Sequence, residues 1–173
     1  MSLVVLLGGA RAGKSALAQE LAARWDGPVA YVATAEPRDE EMAERIERHR
    51  GERRAAWSTV EEPLELRAVL ERLEQGQAAV VDCLTLWVSN ALERGDSPQA
   101  VLAEAGETAA LAAAHAAPVI VVSNEVGLGI VPASPLARTY RDLLGAVNRM
   151  FVDRADTASL VVAGRLLSLE RPS

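Results

Sequence analysis

The chain has 173 residues, half of them apolar but only 3% aromatic, and its formal charge is −6. This length suits one folded domain with a substantial core, and the acidic balance argues against a general nucleic-acid binder, because affinity for phosphate backbones requires clustered positive charge. The single cysteine, Cys83, excludes an intrachain disulfide and a multi-cysteine metal site. We expect it to be a small core residue whose pKa is not depressed, since nothing basic lies beside it.

Neither a membrane segment nor a leader is expected. No apolar run approaches the roughly 20 residues that a membrane-spanning helix needs. The first predicted strand begins almost at Met1, which leaves no room for a signal or transit peptide. We therefore expect a cytoplasmic protein with no membrane span and no nucleic-acid partner.

Short aliphatic runs alternate with helical patterns along the chain. The predicted strands are 3–7, 29–33, 78–82, 118–123 and 158–163, with further short strands near 57–59 and 165–169. The predicted helices are 14–25, 37–51, 63–75, 85–94, 98–115 and 134–154. This alternation predicts one α/β domain over residues 1–173, with a mostly parallel central sheet and helices on both faces.

The first predicted strand leads into a glycine-rich turn that is typical of nucleoside triphosphate sites. Residues 8–15 fit the pattern G-x-x-x-x-G-K-[ST], and a helical pattern follows. A strand, such a turn and a helix direct backbone N–H groups and the positive helix end at a β-phosphate. Lys14 is expected to reach the β- and γ-phosphates, and Ser15 to hold Mg²⁺. A glycine turn that joins strand and helix without a ligand is the alternative. The predicted nucleotide-binding residues of the turn are Gly8, Gly9, Ala10, Arg11, Ala12, Gly13, Lys14 and Ser15.

Further polar residues fall where other predicted strands end. Ligands of parallel α/β sheets bind at the carboxyl ends of the strands, which places the glycine-rich turn, Thr34, Asp82 and residues 124–125 along one rim. Asp82 ends its predicted strand, and we expect it to reach Mg²⁺ directly or through water. Alternatively, Asp82 caps the helix that follows.

The segment 36–54 is a second candidate for chemistry. In the helix predicted there, Met42, Ile46 and His49 share one face because they are spaced by four and three residues. Nearby positive charge disfavours the imidazolium form, so His49 is expected to be neutral, as a nucleophile must be. A structural histidine beside a solvated basic face is the alternative. The surrounding basic residues are Arg45, Arg48, Arg50, Arg53 and Arg54.

Motifs in five segments carry a family resemblance: residues 8–15, 31–35, 45–50, 82–90 and 123–132. Their residues and their order resemble those of the bifunctional adenosylcobinamide kinase/adenosylcobinamide-phosphate guanylyltransferases of cobalamin biosynthesis. The likeness continues through 136–142 and 145–148, so it spans nearly the whole chain. It implies a single-domain P-loop NTPase fold of the RecA-like type.

The resemblance implies two reactions. In the first, the γ-phosphoryl group of ATP or GTP passes to the aminopropanol hydroxyl of adenosylcobinamide, with Lys14 and with Mg²⁺ held at Ser15 and Asp82. In the second, His49 attacks the α-phosphate of GTP, and adenosylcobinamide phosphate then displaces GMP to give adenosylcobinamide-GDP. A homotrimer is also implied. Some relatives have a histidine directly before the nucleophile, whereas this chain has Arg48.

The same resemblance implies further contacts with the guanine nucleotide. A carboxylate after Trp57 suits the N1–H and N2–H₂ edge of guanine because it accepts two donors that adenine lacks, and both Glu61 and Glu62 fit that position. The implied contact residues outside the glycine-rich turn are Ala33, Thr34, Ala35, Arg50, Gly51, Glu52, Arg53, Glu61, Glu62 and Asp82.

Two other functions are kept as alternatives. One is a P-loop kinase that acts on another small hydroxyl compound, with His49 as a structural residue. The other is a nucleotide-switched ATPase or binding protein without small-molecule chemistry.

Overall fold

The computed structural model of the protein describes residues 3–38, 40–51 and 54–171, without the side chains of Glu41, Met42, Arg45 and His49. Within these residues, the strands are β1 (Leu3–Gly8), β2 (Val29–Ala33), β3 (Ser58–Glu61), β4 (Ala78–Asp82), β5 (Val119–Asn124), β6 (Thr157–Val162) and β7 (Arg165–Ser168). The helices are α1 (Lys14–Ala22), α2 (Glu40–Gly51), α3 (Leu66–Glu71), α4 (Leu84–Arg94), α5 (Pro98–Ala114) and α6 (Pro135–Val152).

The strands form one seven-stranded sheet in the order β3-β2-β4-β5-β1-β6-β7. All neighbouring pairs are parallel except β6 and β7, which are antiparallel. The predicted mostly parallel sheet is therefore confirmed. Because the strands are parallel, β1, β2, β4 and β5 all end at the same edge, which is where the polar residues predicted from the sequence lie.

The core lies on both faces of this sheet. Along β1, Leu3, Val5 and Leu7 pack with α3, α4, α5 and α6, whereas Val4 and Leu6 pack on the opposite face with α1. Successive side chains of a strand point to opposite faces, so an unbroken apolar run is what a strand covered on both sides requires. Each buried aliphatic side chain contributes roughly 1.5–3 kcal/mol of transfer free energy. The predicted helices on both faces are confirmed.

Most elements differ by one to three residues from their predicted bounds; for example, α1 ends at Ala22 rather than at 25, and α2 begins at Glu40 rather than at 37. The helix expected at 63–75 forms only as α3, which is shorter at both ends. At its start, the side chain of Glu62 accepts hydrogen bonds from the backbone N–H of Leu64 at 3.0 Å and of Glu65 at 2.9 Å. These bonds hold the chain in a turn before the helix begins. The strand expected near 57–59 is displaced to β3, since the N–H of Trp57 donates to the carbonyl of Arg54 in a preceding turn.

No helix in the described part of the chain combines the length and the apolar character that crossing a membrane requires.

Candidate active site

The phosphate loop, residues 8–13 between β1 and α1, depends on glycine at two positions. Gly8 has φ 153°, and a Cβ there would lie 2.4 Å from the carbonyl oxygen of Val161 in the neighbouring strand. Gly13 has φ 98°, in the left-handed region where other residues are strained. The carbonyl of Ala12 accepts the N–H of Gly164 at 2.8 Å, so the loop is also held against the turn between β6 and β7.

Lys14 opens α1 and is only 7% exposed. Its Nζ donates to the carbonyl oxygens of Gly8 at 3.0 Å and Gly9 at 2.7 Å. The ammonium group therefore lies across the loop, on the side where the helix directs its positive end. A phosphate placed there would meet the lysine charge and the backbone N–H groups together.

The phosphate cavity, a space of about 460 Å³, lies above this loop. Residues 10–16 form one wall, Asp82 and Cys83 after β4 lie on another side, and Asn124 at the end of β5 completes that edge. Glu44 and Arg48 of α2 also line the cavity. Its volume falls within the range usual for small-molecule sites. The structure thus brings the predicted loop, Ser15 and Asp82 together.

Asp82 is held by a buried tyrosine that the sequence analysis did not single out. The hydroxyl of Tyr31, which is 1% exposed, donates to Oδ2 of Asp82 at 2.5 Å. Ser15 and Asp82 offer oxygen donors to one cavity, and oxygen is the ligand type that Mg²⁺ takes. Within the described residues, no group of three or more His, Cys, Asp or Glu could hold a metal ion. A magnesium ion at this place would therefore share its coordination with nucleotide phosphates, as Mg²⁺ commonly does.

Thr34 lies deeper than a ligand-contacting residue usually does. It is fully buried, and its hydroxyl both donates to the carbonyl and accepts from the N–H of Cys83, at 2.8 Å each. Asn90 of α4 donates to the carbonyl of Thr34 at 2.8 Å. The described polar atoms of Thr34 thus fix the ends of β2 and β4 to each other. The nucleotide contact expected of Thr34, and those of Ala33 and Ala35 beside it, stay predictions.

Cys83 follows Asp82 and lines the phosphate cavity. Burial, together with the charge of Asp82, raises the pKa of its thiol to about 11. The thiol is therefore protonated at neutral pH, which confirms that its pKa is not depressed and makes a nucleophilic role for Cys83 untenable.

The second half of the site is built around the end of α2. Arg50 forms ion pairs with Glu47 at 2.6 Å and with Glu61 of β3. These pairs raise the pKa of the Arg50 guanidinium, with the hydrogen bond to Glu61 as the largest contribution. Arg50, Trp57 and Glu61 line an open depression of about 550 Å³, which we call the α2–β3 depression.

The residues predicted around His49 are only partly described. The backbone of His49 lies in α2, directly after Arg48, and Gly51 ends that helix. The side chain of His49, together with Glu52 and Arg53, lies outside the described residues. Their predicted roles therefore stay predictions.

The family described as "Cobinamide kinase / cobinamide phosphate guanyltransferase" matches residues 4–169. The chain belongs to this family. The membership predicted from the five motifs is confirmed.

Curated relatives match over nearly their full length. The "Bifunctional adenosylcobalamin biosynthesis protein CobP" of Pseudomonas aeruginosa is 42% identical over 167 residues, which cover 96% of each chain. Proteins named CobU with the same description match from Escherichia coli, at 37% identity, and from Salmonella typhimurium, at 38%. Each match covers 94% of this chain and 96% of the relative.

A solved structure outside the family shares the fold. The flagellar accessory protein FlaH from Methanocaldococcus jannaschii superposes with a TM-score of 0.52 at 16% identity, over 95% of this chain and 74% of that one. This likeness concerns architecture alone. With the parallel sheet and the loop between β1 and α1, the predicted RecA-like P-loop NTPase fold is confirmed.

Tyr31, which holds Asp82, and Glu44, which lines the cavity, were not predicted to belong to this cobinamide kinase/guanyltransferase site, whereas Arg48 was predicted only as part of the basic surface around His49. Glu44 and Arg48 are four residues apart, so the sequence does place them on one helical face. It does not say which face of α2 meets the phosphate loop. Tyr31 could have been found from its spacing: it lies two residues before Ala33, on the same face of β2, and β2 pairs with the strand that ends in Asp82.

Proposed function

We propose that the protein catalyses two successive reactions of cobalamin biosynthesis, phosphorylation of adenosylcobinamide and transfer of GMP to the product. The phosphate cavity carries this proposal, because it combines a phosphate loop with Asp82 and with the helix that contains His49. The relatives' description as bifunctional adenosylcobalamin biosynthesis proteins supports it.

In the kinase reaction, the loop N–H groups and Lys14 bind the β- and γ-phosphates of ATP or GTP. Ser15 and Asp82 would hold Mg²⁺, which supplies charge neutralisation on the phosphates when bound. Tyr31 keeps the carboxylate of Asp82 in one orientation. The aminopropanol hydroxyl of adenosylcobinamide attacks the γ-phosphorus, and the nucleoside diphosphate leaves.

In the second reaction, an unprotonated ring nitrogen of His49 attacks the α-phosphorus of GTP. A nitrogen–phosphorus bond forms, the bond to the bridging oxygen breaks, and pyrophosphate leaves. An oxygen of adenosylcobinamide phosphate then attacks the same phosphorus, which releases His49 and gives adenosylcobinamide-GDP. Splitting the transfer in this way is ordinary nucleophilic catalysis.

For guanine recognition, Glu61 is the better candidate of the two carboxylates. Glu61 lines the α2–β3 depression beside Trp57, whereas Glu62 accepts hydrogen bonds from the backbone N–H of Leu64 and Glu65. Binding of guanine at Glu61 would require its ion pair with Arg50 to open. Contacts from residues 33–35 and 50–53 belong to the same proposal.

The remaining parts of the proposal rest on the family resemblance and composition. They are adenosylcobinamide and its phosphate as substrates, a homotrimeric assembly, a cytoplasmic location and the absence of a nucleic-acid partner.

The test is nucleotide labelling of the purified protein. Incubation with Mg²⁺ and either α-³²P-GTP or γ-³²P-GTP, followed by a denaturing gel and acid treatment, should give acid-labile label from the α-position only. His49→Ala should abolish this label while much of the kinase activity remains. If neither nucleotide labels a wild-type protein that still binds GTP, guanylyl transfer through His49 is wrong, and a P-loop kinase on another compound becomes the better function.

A further inference from the structure

Arg48 of α2 is placed differently from the other described arginines near the end of this helix. Its side chain lines the phosphate cavity, together with Glu44 one turn earlier and residues 10–16 of the opposite wall. Arg50, two residues later, is directed to Glu61 and the α2–β3 depression. Two arginines near the end of α2 therefore lie in different parts of the site: Arg48 lines the phosphate cavity, and Arg50 lines the α2–β3 depression.

No described carboxylate forms an ion pair with Arg48. Among the described residues, Arg48 has no ion-pair partner, whereas Arg50 has two. A guanidinium group stays charged at any physiological pH and presents its donors in a planar fork that matches two oxygens of a phosphate. A guanidinium beside a phosphate loop, with no ion-pair partner among the described residues, is therefore suited to a polyphosphate.

Arg48 and Lys14 reach the phosphate cavity from different elements of the fold. The Nζ of Lys14 lies on the loop, 2.7 Å from the carbonyl oxygen of Gly9. Arg48 reaches the same cavity from α2, so a polyphosphate between loop and helix would contact a cation on each side. His49 follows Arg48 directly on that helix.

We propose that Arg48 is a catalytic residue that binds the β- and γ-phosphates of GTP and stabilises the departing pyrophosphate when His49 is guanylylated. This inference rests on the proposed function. When the nitrogen–phosphorus bond forms and the bridging bond breaks, the electron pair of that bond remains on the β-phosphate oxygen. The leaving group therefore gains negative charge, and the cation of Arg48 stabilises that charge more than it stabilises intact GTP.

The first measurement compares GTP and GMP binding by calorimetry in a His49→Ala background, where no covalent transfer occurs. Arg48→Ala should weaken GTP binding about tenfold or more, the usual loss when a charge-assisted hydrogen bond is removed, and change GMP binding by less than twofold. Arg48→Lys keeps the charge and should recover part of the loss. Arg72→Ala, an exposed arginine at the end of α3, is the matched control and should change neither affinity.

The second measurement uses chains that retain His49 and follows the rate of protein–GMP formation from α-³²P-GTP at saturating GTP. Arg48→Ala should slow this rate at least tenfold, and Arg48→Lys should restore part of it. Equal losses of GTP and GMP affinity would show a merely structural role and overturn the proposal, as would an unchanged rate.

The two proposals can fail separately. If the wild-type protein forms no GMP adduct, guanylyl transfer and the leaving-group role of Arg48 are both wrong, while selective loss of GTP binding would still support its phosphate contact. If the wild-type protein is labelled and Arg48→Ala behaves like it in both measurements, only the Arg48 proposal falls.

Discussion

Replacing Tyr31 with Phe tests whether the buried hydroxyl orients the candidate metal carboxylate. Tyr31 is 1% exposed, and its hydroxyl donates to Oδ2 of Asp82 at 2.5 Å. Phenylalanine keeps the ring packing and removes only this donor. The side chain of Asp82 can then rotate among its three staggered χ1 positions, which moves the carboxylate.

The expected change in Mg²⁺ affinity follows from this rotational freedom of the Asp82 side chain. Restoring one productive orientation out of three costs about RT ln 3, or about 0.6 kcal/mol, which is a threefold change in affinity. The bond from Tyr31 to Asp82 is charge-assisted, and where its loss also weakens the Mg²⁺-bound state, the change in affinity rises to about tenfold. We therefore expect the Mg²⁺ concentration for half-maximal binding of GTP to rise three- to tenfold, while activity at saturating Mg²⁺ stays within about twofold of wild type.

The assay is a MgCl₂ titration of the protein with a fluorescent GTP analogue. Tyr140→Phe is the matched control, because the hydroxyl of Tyr140 donates to the carbonyl of Thr85 at 3.1 Å and does not touch Asp82. Thermal unfolding of both variants checks that they fold. An unchanged or lower Mg²⁺ requirement in Tyr31→Phe would refute the orientation argument, since a lower value means that the hydroxyl chiefly withdraws charge from Asp82.

Two further predictions concern the loop and the cysteine. Gly8→Ala should destabilise the protein by about 3 kcal/mol, because its Cβ would lie 2.4 Å from the carbonyl oxygen of Val161. The unfolding temperature of this variant should be roughly 6–12 °C below that of wild type. The control Gly9→Ala, whose Cβ would have no neighbour within 4 Å, should unfold within about 3 °C of wild type. Equal unfolding temperatures would contradict this. Cys83, with a pKa of about 11, should react with iodoacetamide at pH 8 at least tenfold more slowly than free cysteine, and its rate should climb about tenfold per pH unit toward pH 11. Fast labelling at pH 8 would show that the thiol is not protonated as argued.

The turn between β1 and α1 could be predicted from the sequence because its chemistry is local. Eight consecutive residues supply the N–H groups, the lysine and the hydroxyl, so no distant contact is needed. The strands β1 and β5 could also be predicted from the sequence, since they are buried on both faces and therefore appear as unbroken apolar runs. Asp82 could be placed because parallel strands end at one edge.

Contacts that depend on register or on helix placement could not be predicted. The bond between Tyr31 and Asp82 requires β2 to lie beside β4 with Ala33 opposite Asp82, which only the folded sheet specifies. In the same way, periodicity groups Glu44 with Arg48 but cannot position α2 above the loop. The distinction between Arg48 and Arg50 is therefore a tertiary one.

The ambiguity between Glu61 and Glu62 has the same physical origin as the shortened α3. Neighbouring residues at the end of a strand point to opposite sides, so only one of these carboxylates can face the α2–β3 depression. Glu62 accepts two backbone N–H groups of the following turn, and moving it to a ligand would break both hydrogen bonds, at a net cost of about 0.5–1.5 kcal/mol each. Among the described residues, the side chain of Glu61 gives up an exposed ion pair with Arg50, a contact worth little in water. Glu62 is thus held by the turn before α3, which is why we propose Glu61 rather than Glu62 for guanine recognition.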